Sequence, residues 1–255
     1  MEQHGRLARA DGVELAWSHI PAARAHADDP TVVFLPGFRS DMTGEKARTL
    51  ADWAERSGRA FLRFDYSGHG ASGGRFEDGT IGIWAADALR VIEATTRGKL
   101  LLVGSSMGGW IALLAARKLG GRVGALVGIA AAPDFTERGM WDAMAPIERS
   151  VLERDGFLRV PSPYGADLII TRALIEDGRQ HLLLDGPIPI TCPVRLLQGK
   201  LDLDVNWETA LKLSDRLESA DVRVILLKDG EHRLSRPEDL ALLKVTVDDL
   251  LANIA

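Results

Sequence analysis

Residues 99–119 read KLLLVGSSMGGWIALLAARKL, and this stretch decides the fold of the chain. It opens with a short apolar run, which predicts a buried strand, and it closes with the apolar spacing of a helix. Between them lies the pattern Gly104-Ser105-Ser106-Met107-Gly108. A strand, a Gly-x-Ser-x-Gly pattern and a helix in succession predict a nucleophile elbow, the tight turn that lifts a serine hydroxyl clear of a sheet. Glycine is then required at 104 and 108, because a side chain there would strike the neighbouring strand or helix.

The composition fits one globular domain and excludes several classes of protein. The chain has 255 residues, 46% of them hydrophobic and 26% charged, which is enough for a single domain, 1–255, with a sizeable core. The formal net charge of -5 gives no basic footprint, so we expect no nucleic-acid partner. We also expect no membrane span, because no apolar run approaches the length of one. A single cysteine, Cys192, and an N-terminus without a signal-peptide layout predict a cytoplasmic location.

Apolar runs alternate with amphipathic helices along most of the chain. A first pair of strands, 6–10 and 13–17, flanks Asp11-Gly12, which is a signal for a two-residue hairpin turn. Six further strands are predicted at 31–35, 59–64, 99–103, 123–130, 193–198 and 222–227, and helices at 45–57, 80–96, 110–119, 207–217 and from 237 onward. This alternation predicts an α/β fold, in which a mostly parallel eight-stranded sheet is flanked by helices on both faces.

Residues 133–190 interrupt this alternation. No run there has the character of a central strand, and so long a connection inside a compact domain usually has a functional reason. We predict a small helical cap over the carboxyl ends of the strands, where ligands bind in such sheets. The apolar side chains of this segment include Phe135, Met140, Trp141, Met144, Phe157 and Tyr164. Most of them are expected to pack the cap against the body, with Trp141 and Met144 as candidates for substrate contact.

Histidines and acids beyond the predicted elbow supply candidate partners for Ser106. A serine hydroxyl becomes a good nucleophile when a base takes its proton and a third group orients that base. His232 lies just past the last predicted strand, where such a base is expected. Either Asp202 or Asp204, both after the penultimate strand, could orient it. We favour the first, because Gly-x-x-Asp-x-x-Val at 199–205 matches the usual acid turn, and interpret the second as a cap of the next helix.

Backbone groups near the elbow are expected to stabilise an oxyanion. One is the N–H of Met107, the residue after the predicted nucleophile, and the other is the N–H of Phe38, in the turn after the strand 31–35. Arg39 follows Phe38 and either attracts an anionic substrate or is simply a solvated loop residue. No cluster of histidines and acids has the spacing of metal ligands, so we expect neither a metal nor an organic cofactor.

The whole set of motifs resembles the α/β-hydrolase superfamily. The matching strings are Pro36-Gly37-Phe38, Asp65-x-x-Gly68-x-Gly70-x-Ser72, Gly104-x-Ser106-x-Gly108, Gly199-x-x-Asp202 and Gly230-x-His232. In more detail, the chain is similar to the mitochondrial acyl-glucuronide esterase and protein S-depalmitoylase family. The strings that carry this second likeness are FDYSG at 64–68, VGSSMGGW at 103–110, PIP at 187–189, CPVRLL at 192–197 and Asp229-x-x-His232-Arg233.

The resemblance implies a serine hydrolase that acts on a carboxylic ester or thioester of a small molecule or an acyl chain. It carries over Ser106 as nucleophile, Asp202 as acid and His232 as base. The alternatives on the same three residues are an acyltransferase, a peptidase and a C–C hydrolase. An alternative of another class is a ligand-binding member of the fold without catalysis. The sequence leaves open the acyl chain, the leaving group and the oligomeric state, and it is compatible with a monomer.

Overall fold

The computed structural model describes residues 1–161 and 167–254. Ten strands are present in that part of the chain, eight in a central sheet and two, β7 and β8, in a separate hairpin. The strands are β1 (Gln3–Ala8), β2 (Glu14–Ile20), β3 (Thr31–Leu35), β4 (Phe61–Phe64), β5 (Leu100–Ser105), β6 (Val123–Ile129), β7 (Phe157–Val160), β8 (Leu168–Thr171), β9 (Val194–Gly199) and β10 (Val222–Leu227).

The central sheet confirms the predicted α/β-hydrolase architecture. Its strand order is β1-β2-β4-β3-β5-β6-β9-β10. The antiparallel pairings are those of β2 with β1 and with β4, and every later pairing is parallel. The turn between β1 and β2 is longer than the predicted two residues, because Arg9 N–H bonds to the Val13 carbonyl across Ala10, Asp11 and Gly12. Gly12 takes the left-handed conformation, with φ 86°.

Helices cover both faces of the sheet. They are α1 (Glu45–Ser57), α2 (Ile81–Thr95), α3 (Met107–Leu119), α4 (Pro146–Asp155), α5 (Arg172–Gly178), α6 (Glu208–Arg216) and α7 (Pro237–Leu251). Buried side chains of α1 and α7 pack in one hydrophobic cluster, and those of α2, α3 and α6 pack in another. Six of the central strands, from β4 to β10 in the sheet order, run parallel to one another between these layers, which brings their carboxyl ends to one edge of the sheet.

Residues 133–190 form an insertion between β6 and β9. It contains one turn of π-helix at Thr136–Trp141, the helices α4 and α5, and the antiparallel hairpin of β7 and β8. The prediction for this segment included helices only, and the hairpin was missed because each of its strands has four residues and no neighbour in the central sheet. Tyr164, one of the predicted cap residues, lies outside the described residues.

The insertion has a small hydrophobic cluster of its own. Its buried members are Met144, Leu152, Ile170 and Ile175. These side chains come from the connection between the π-helical turn and α4, from α4 itself, from β8 and from α5, so the cluster holds the separate pieces of the insertion together. Burial of apolar side chains is the main favourable contribution to the free energy of folding, so this cluster stabilises the fold of the insertion.

Candidate active site

Ser106 occupies the turn between β5 and α3 in a strained backbone conformation. Its φ is 54° and its ψ is -120°, a region that residues with a side chain rarely adopt. The surrounding backbone holds it there: the Ser106 N–H donates to the Ile129 carbonyl at 2.9 Å, and Gly109 and Ala132 donate to the Ser106 carbonyl. The first residue of α3 follows directly, so the serine side chain projects from a rigid strand-to-helix turn. This is the predicted elbow.

The glycines around Ser106 permit contacts that no other residue would allow. A Cβ atom at Gly104 would lie 2.2 Å from the carbonyl oxygen of Gly108. A Cβ atom at Gly108 would lie 2.0 Å from the carbonyl oxygen of Leu35, at the end of β3. Both distances are far below van der Waals contact with backbone atoms that cannot move aside. The two glycines therefore let α3 pack against β5 and β3 closely enough to make the turn.

The three side chains that the sequence analysis selected lie in one hydrogen-bonded row. His232 Nε2 is 3.0 Å from Ser106 Oγ. On the other side of the ring, His232 Nδ1 is 2.9 Å from Oδ2 and 3.1 Å from Oδ1 of Asp202. A carboxylate only accepts, so Nδ1 carries the proton and the Nε2 lone pair is free to accept the serine hydroxyl proton. This is the arrangement that a general base needs.

Close backbone packing brings the acid and histidine loops together. Asp202 follows β9 and His232 follows β10, which are parallel neighbours. A Cβ atom at Gly199 would lie 2.2 Å from the carbonyl oxygen of Gly230, and the Leu201 N–H donates to that oxygen at 2.9 Å. Gly199 is therefore required for the loops to approach one another. Their contact sets the distance between the carboxylate and the imidazole.

The Asp202 carboxylate is fully buried and accepts hydrogen bonds on both oxygens. Oδ1 accepts the backbone N–H groups of Asp204 at 2.9 Å and Val205 at 2.8 Å. Its side chain is 0% exposed, against 24% for His232. Burial raises the pKa of this carboxyl, but the hydrogen bonds it accepts, first among them that from His232, outweigh the burial and hold the pKa below 3.8. The carboxylate thus stays charged beside the imidazole at neutral pH.

Asp204, the other candidate acid, has a different setting. It is exposed, and its backbone N–H rather than its carboxylate bonds to Asp202. The interpretation of Asp204 as a helix cap was wrong: α6 begins at Glu208, and the side chain that bonds to its first N–H is that of Asn206, at 3.0 Å. The chain reaches α6 four residues after Asp204, too far for that side chain to cap it.

Within the described residues, one group of three possible metal ligands combines Asp202, Asp204 and His232, with ligand atoms within 4.8 Å of one another. Two of the three already share a hydrogen bond across Nδ1 and Oδ2. A metal ion there would take the Nδ1 lone pair, whereas the hydrogen bond needs a proton on that nitrogen. These side chains are therefore engaged in the hydrogen bonds between Asp202, His232 and Ser106, and we do not assign a metal site to them.

The predicted oxyanion donors, the backbone N–H groups of Met107 and Phe38, lie on two segments next to Ser106. Met107 is the first residue of α3, so its N–H has no acceptor within the helix. Phe38 follows Gly37, and a Cβ atom built on Gly37 would lie 3.3 Å from the Cβ of Ser106. The turn that carries Phe38 is thus in contact with the serine. The oxyanion role of both residues stays a prediction.

A cluster of aromatic rings lies beside this turn. The Phe38 ring contacts those of Phe76 and Phe135, with centroids 5.0 Å and 5.5 Å away, in edge-to-face geometry. All three rings are partly exposed, and the buried indoles of Trp84 and Trp110 support them from beneath. We call Phe38, Phe76 and Phe135 the aromatic wall. It is an apolar surface next to the elbow.

The buried His69 contacts the ring of Phe76 behind this wall, with centroids 5.1 Å apart. Burial lowers the pKa of His69 below 6.5, so its ring is neutral at neutral pH. Its Nδ1 lies 3.1 Å from the Ser67 carbonyl, within its own glycine-rich loop. His69 therefore packs behind Phe76. Among the described residues, its ring has no hydrogen bond to Ser106 or His232.

Asp134 holds Phe135 in the wall. This aspartate lies five residues after the end of β6, is fully buried and has a φ of 61°. Its carboxylate accepts the backbone N–H groups of Leu183 at 2.8 Å and Leu184 at 3.0 Å. These hydrogen bonds tie the far end of the insertion to its beginning. They also fix the turn that contains Phe135. Trp110 of α3 adds a second tie, because its indole N–H donates to the His181 carbonyl at 3.1 Å.

The three residues that the sequence analysis proposed for substrate contact, Arg39, Trp141 and Met144, are not part of the aromatic wall. Met144 is buried in the insertion's own cluster, and the Trp141 ring lies beside the guanidinium groups of Arg149 and Arg179, 5.0 Å and 4.5 Å away. Arg39 is exposed in the turn after Phe38, with φ 57°. A substrate-binding role for these three stays a prediction. Sequence reasoning missed Phe76, and gave Phe135 no more weight than the other apolar residues of the insertion.

Lys46 of α1 supports the loop that carries His232. Its ammonium group donates to the Arg233 carbonyl and lies 3.4 Å from the Ser235 hydroxyl. Burial, reinforced by the nearby Arg233 charge, lowers the pKa of Lys46 to about 8. The amine is still protonated at neutral pH, so it can donate to both oxygens and tie this loop to α1.

Comparison with known proteins places this geometry in a family. The profile described as "Alpha/beta hydrolase family" matches residues 32–242, which include Ser106, Asp202 and His232. The chain belongs to the alpha/beta hydrolase family. It is therefore a hydrolase, as the sequence analysis predicted.

The hydrolase has well-covered relatives. It is 39% identical over 234 residues to the mouse "Palmitoyl-protein thioesterase ABHD10, mitochondrial", covering 91% of this chain and 78% of the relative. A crystal structure of a putative hydrolase from Agrobacterium vitis superposes with a TM-score of 0.92 at 41% identity, covering 98% of each chain. The structure of mouse alpha/beta hydrolase domain-containing protein 10 gives a TM-score of 0.90 at 37% identity, covering 99% of this hydrolase and 100% of the mouse chain.

The relatives contradict the predicted cytoplasmic location, because the mouse and human proteins are named as mitochondrial. The prediction rested on a single cysteine and the absence of a signal-peptide layout. A low cysteine count indicates a compartment without disulfide formation and does not distinguish one such compartment from another. Separately, none of the helices in the described part of the hydrolase combines the length and apolar composition that crossing a bilayer requires.

Proposed function

We propose that this hydrolase cleaves the thioester or carboxylic ester of an acyl group through a covalent acyl-Ser106 intermediate. The observation that carries the proposal is the row in which His232 Nε2 lies 3.0 Å from Ser106 Oγ while Nδ1 lies 2.9 Å from Asp202. Hydrogen-bond distances on both sides of one imidazole are what proton removal from a serine requires. The names of the relatives, palmitoyl-protein thioesterases, support the same chemistry.

The first half of the reaction forms the acyl-enzyme. His232 takes the hydroxyl proton through Nε2 as Ser106 Oγ attacks the acyl carbonyl carbon. The carbonyl oxygen becomes an oxyanion, which the backbone N–H groups of Met107 and Phe38 stabilise. Collapse of this intermediate breaks the bond to the thiolate or alkoxide leaving group, and the proton on His232 passes to it.

The second half releases the acid. His232 takes a proton from water, the resulting hydroxide attacks the acyl carbon, and the bond to Ser106 Oγ breaks as the serine regains its proton. The charged Asp202 keeps the imidazole in the tautomer that repeats the cycle and stabilises the imidazolium formed in each half. No other group has to enter the reaction.

The aromatic wall supports an acyl group with an apolar chain. Phe38 carries one oxyanion N–H on its backbone and a wall ring on its side chain, so an acyl carbonyl held at Ser106 has its chain next to the wall. Burying methylene groups against such rings contributes about 0.8 kcal/mol for each CH₂. A chain of several methylenes therefore gains binding free energy that an acetyl group does not.

The proposal is tested with a substrate panel. It contains p-nitrophenyl esters of increasing acyl length, S-acyl cysteine peptides of the same lengths and an acyl glucuronide. We expect kcat/KM to rise with chain length, and we expect Phe135→Ala to lower it by about 10-fold for long chains while changing it little for acetyl. Phe157→Ala is the matched control, because this exposed phenylalanine of the insertion lies in β7 and is not part of the wall.

Three outcomes of the panel separate the alternatives. Negligible hydrolysis of every substrate by folded protein would contradict the proposal and favour a ligand-binding member of the fold. Transfer of the acyl group to an added alcohol or amine in preference to water would identify an acyltransferase. Equal losses for acetyl and long chains in Phe135→Ala would remove the wall from the acyl site and leave the hydrolysis intact.

A further inference from the structure

Gln198 places its side-chain amide against the Asp202 carboxylate. It is the penultimate residue of β9 and is 1% exposed. Its Nε2 donates to Asp202 Oδ2 at 2.9 Å, the same oxygen that lies 2.9 Å from His232 Nδ1. The amide and the imidazole therefore bind one carboxylate oxygen from two directions. No other side chain in the described residues bonds to that oxygen.

The neighbours of Gln198 fix which way its amide points. Besides the carboxylate, Nε2 lies 3.3 Å from the carbonyl oxygens of Gly199 and Val205. All three neighbours are acceptors. If the amide were flipped by 180°, its oxygen Oε1 would lie at the same short distance from Asp202 Oδ2, and the two oxygens would repel one another. The donor orientation is thus the only one that the surroundings permit.

This orientation leaves Gln198 Oε1 buried and, within the described part of the chain, without a hydrogen-bond donor. A buried unpaired oxygen lowers the stability of the fold. A methionine or leucine of similar size at the same place would bury no unpaired atom. Packing therefore gives no reason for an amide here, whereas the donated hydrogen bond to Asp202 does.

We infer that Gln198 is a positioning residue, whose amide holds the Asp202 carboxylate charged and aligned with the His232 ring. The inference rests on the proposed function, in which His232 is the base. Without the amide, Oδ2 keeps only the imidazole as a partner and the carboxylate can rotate about the two backbone N–H groups on Oδ1. Among the described residues, His232 and Asp204 have possible ligand atoms within 4.8 Å of one of this carboxylate's oxygens, so their charges enter any pH dependence.

The test is Gln198→Met, which keeps the volume of the side chain and removes the donor. We expect kcat to fall by about 10-fold, the equivalent of one hydrogen bond to a charged group. We expect the acid limb of the kcat/KM profile to move upward by about half a pH unit, because that limb reports proton uptake by the coupled His232–Asp202 pair, and a carboxylate that has lost a donor stabilises the added proton more strongly. The melting temperature should stay level or rise, since the unpaired Oε1 is gone.

Leu197→Ala is the matched control for packing. Leu197 is the neighbouring residue of β9, is buried, and points to the opposite face of the sheet, into the cluster of α1 and α7. This variant should lower the melting temperature and keep the wild-type pH profile. A wild-type pH profile in Gln198→Met would overturn the inference. Undiminished hydrolysis by Ser106→Ala would instead overturn the proposed function, so the two failures are distinguishable.

Discussion

Replacing Ser106 with alanine is expected to lower kcat for acyl ester and thioester hydrolysis by about 10⁵-fold or more, with the fold unchanged. Oγ is the only atom of the residue that the reaction uses, so the variant loses the covalent step and keeps only transition-state stabilisation by the backbone N–H groups. The strained backbone, with φ 54°, is the same for alanine as for serine. Steady-state hydrolysis and thermal unfolding of the same preparation measure both quantities.

Ser105→Ala is the matched control, because this buried serine ends β5 immediately before Ser106. It should hydrolyse the same substrates at a rate close to that of the wild type. Loss of activity in both variants would indicate damage to the elbow. Loss of activity only in Ser105→Ala would show that Ser106 is not the nucleophile.

Asp202→Asn is expected to lower kcat by about 10⁴-fold while the protein still folds. The asparagine oxygen can accept the backbone N–H groups of Asp204 and Val205, which now bind Oδ1. Its amide nitrogen then faces His232 Nδ1 as a donor, so the imidazole shifts its proton to Nε2 and can no longer accept one from Ser106. The neutral amide also cannot stabilise the imidazolium formed in the reaction. Rates at several pH values and circular dichroism measure the outcome.

Asp204→Asn separates the two acids of this loop. Because Asp204 is exposed and contributes only its backbone N–H to Asp202, the variant should keep most of its activity. If Asp204→Asn lost turnover and Asp202→Asn kept it, the acid would have been assigned to the wrong carboxylate.

Much of the sheet followed from local signals in the sequence. The bounds of β3, β10 and α1 agree with the apolar runs and with the glycine stop at Gly58, which takes φ 70° and donates its N–H to the Ala54 carbonyl. Such elements are predictable because their cause is local: buried apolar residues, helical spacing and a left-handed cap. The start of α3 was predicted three residues late, since the helix begins directly at the elbow.

The juxtaposition of Ser106 and His232, 126 residues apart, followed from topology rather than from any local signal. Residues just after parallel strands lie at one edge of the sheet, so a serine after β5, an acid after β9 and a histidine after β10 were expected to meet. The choice between two acids only two residues apart in the chain needed the turn motif as well. Only Asp202 has its side chain turned inward to the histidine loop.

The aromatic wall and the role of Gln198 were beyond the sequence. Phe76 begins a single turn of 3-10 helix, and Phe135 reaches Phe38 only because the buried Asp134 ties the two ends of the insertion together. These contacts depend on how a long insertion folds back, for which periodicity gives no rule. In the sequence, Gln198 is the last residue of a predicted strand, and nothing there shows whether its amide points to the active site or to solvent. The place of Phe135 in the chain, six residues after the end of β6, was the one available hint.

Trapping of the acyl-enzyme tests the central claim most directly. The hydrolase is mixed with an S-acyl cysteine peptide, quenched in acid within the first turnover, digested with trypsin and analysed by mass spectrometry. The account predicts the mass of one acyl group on the peptide of residues 100–117, with fragment ions placing it on Ser106, and no such mass in His232→Ala. Hydrolysis that proceeds with no acyl group on Ser106 at any quench time, or with the acyl group on another residue, would contradict it.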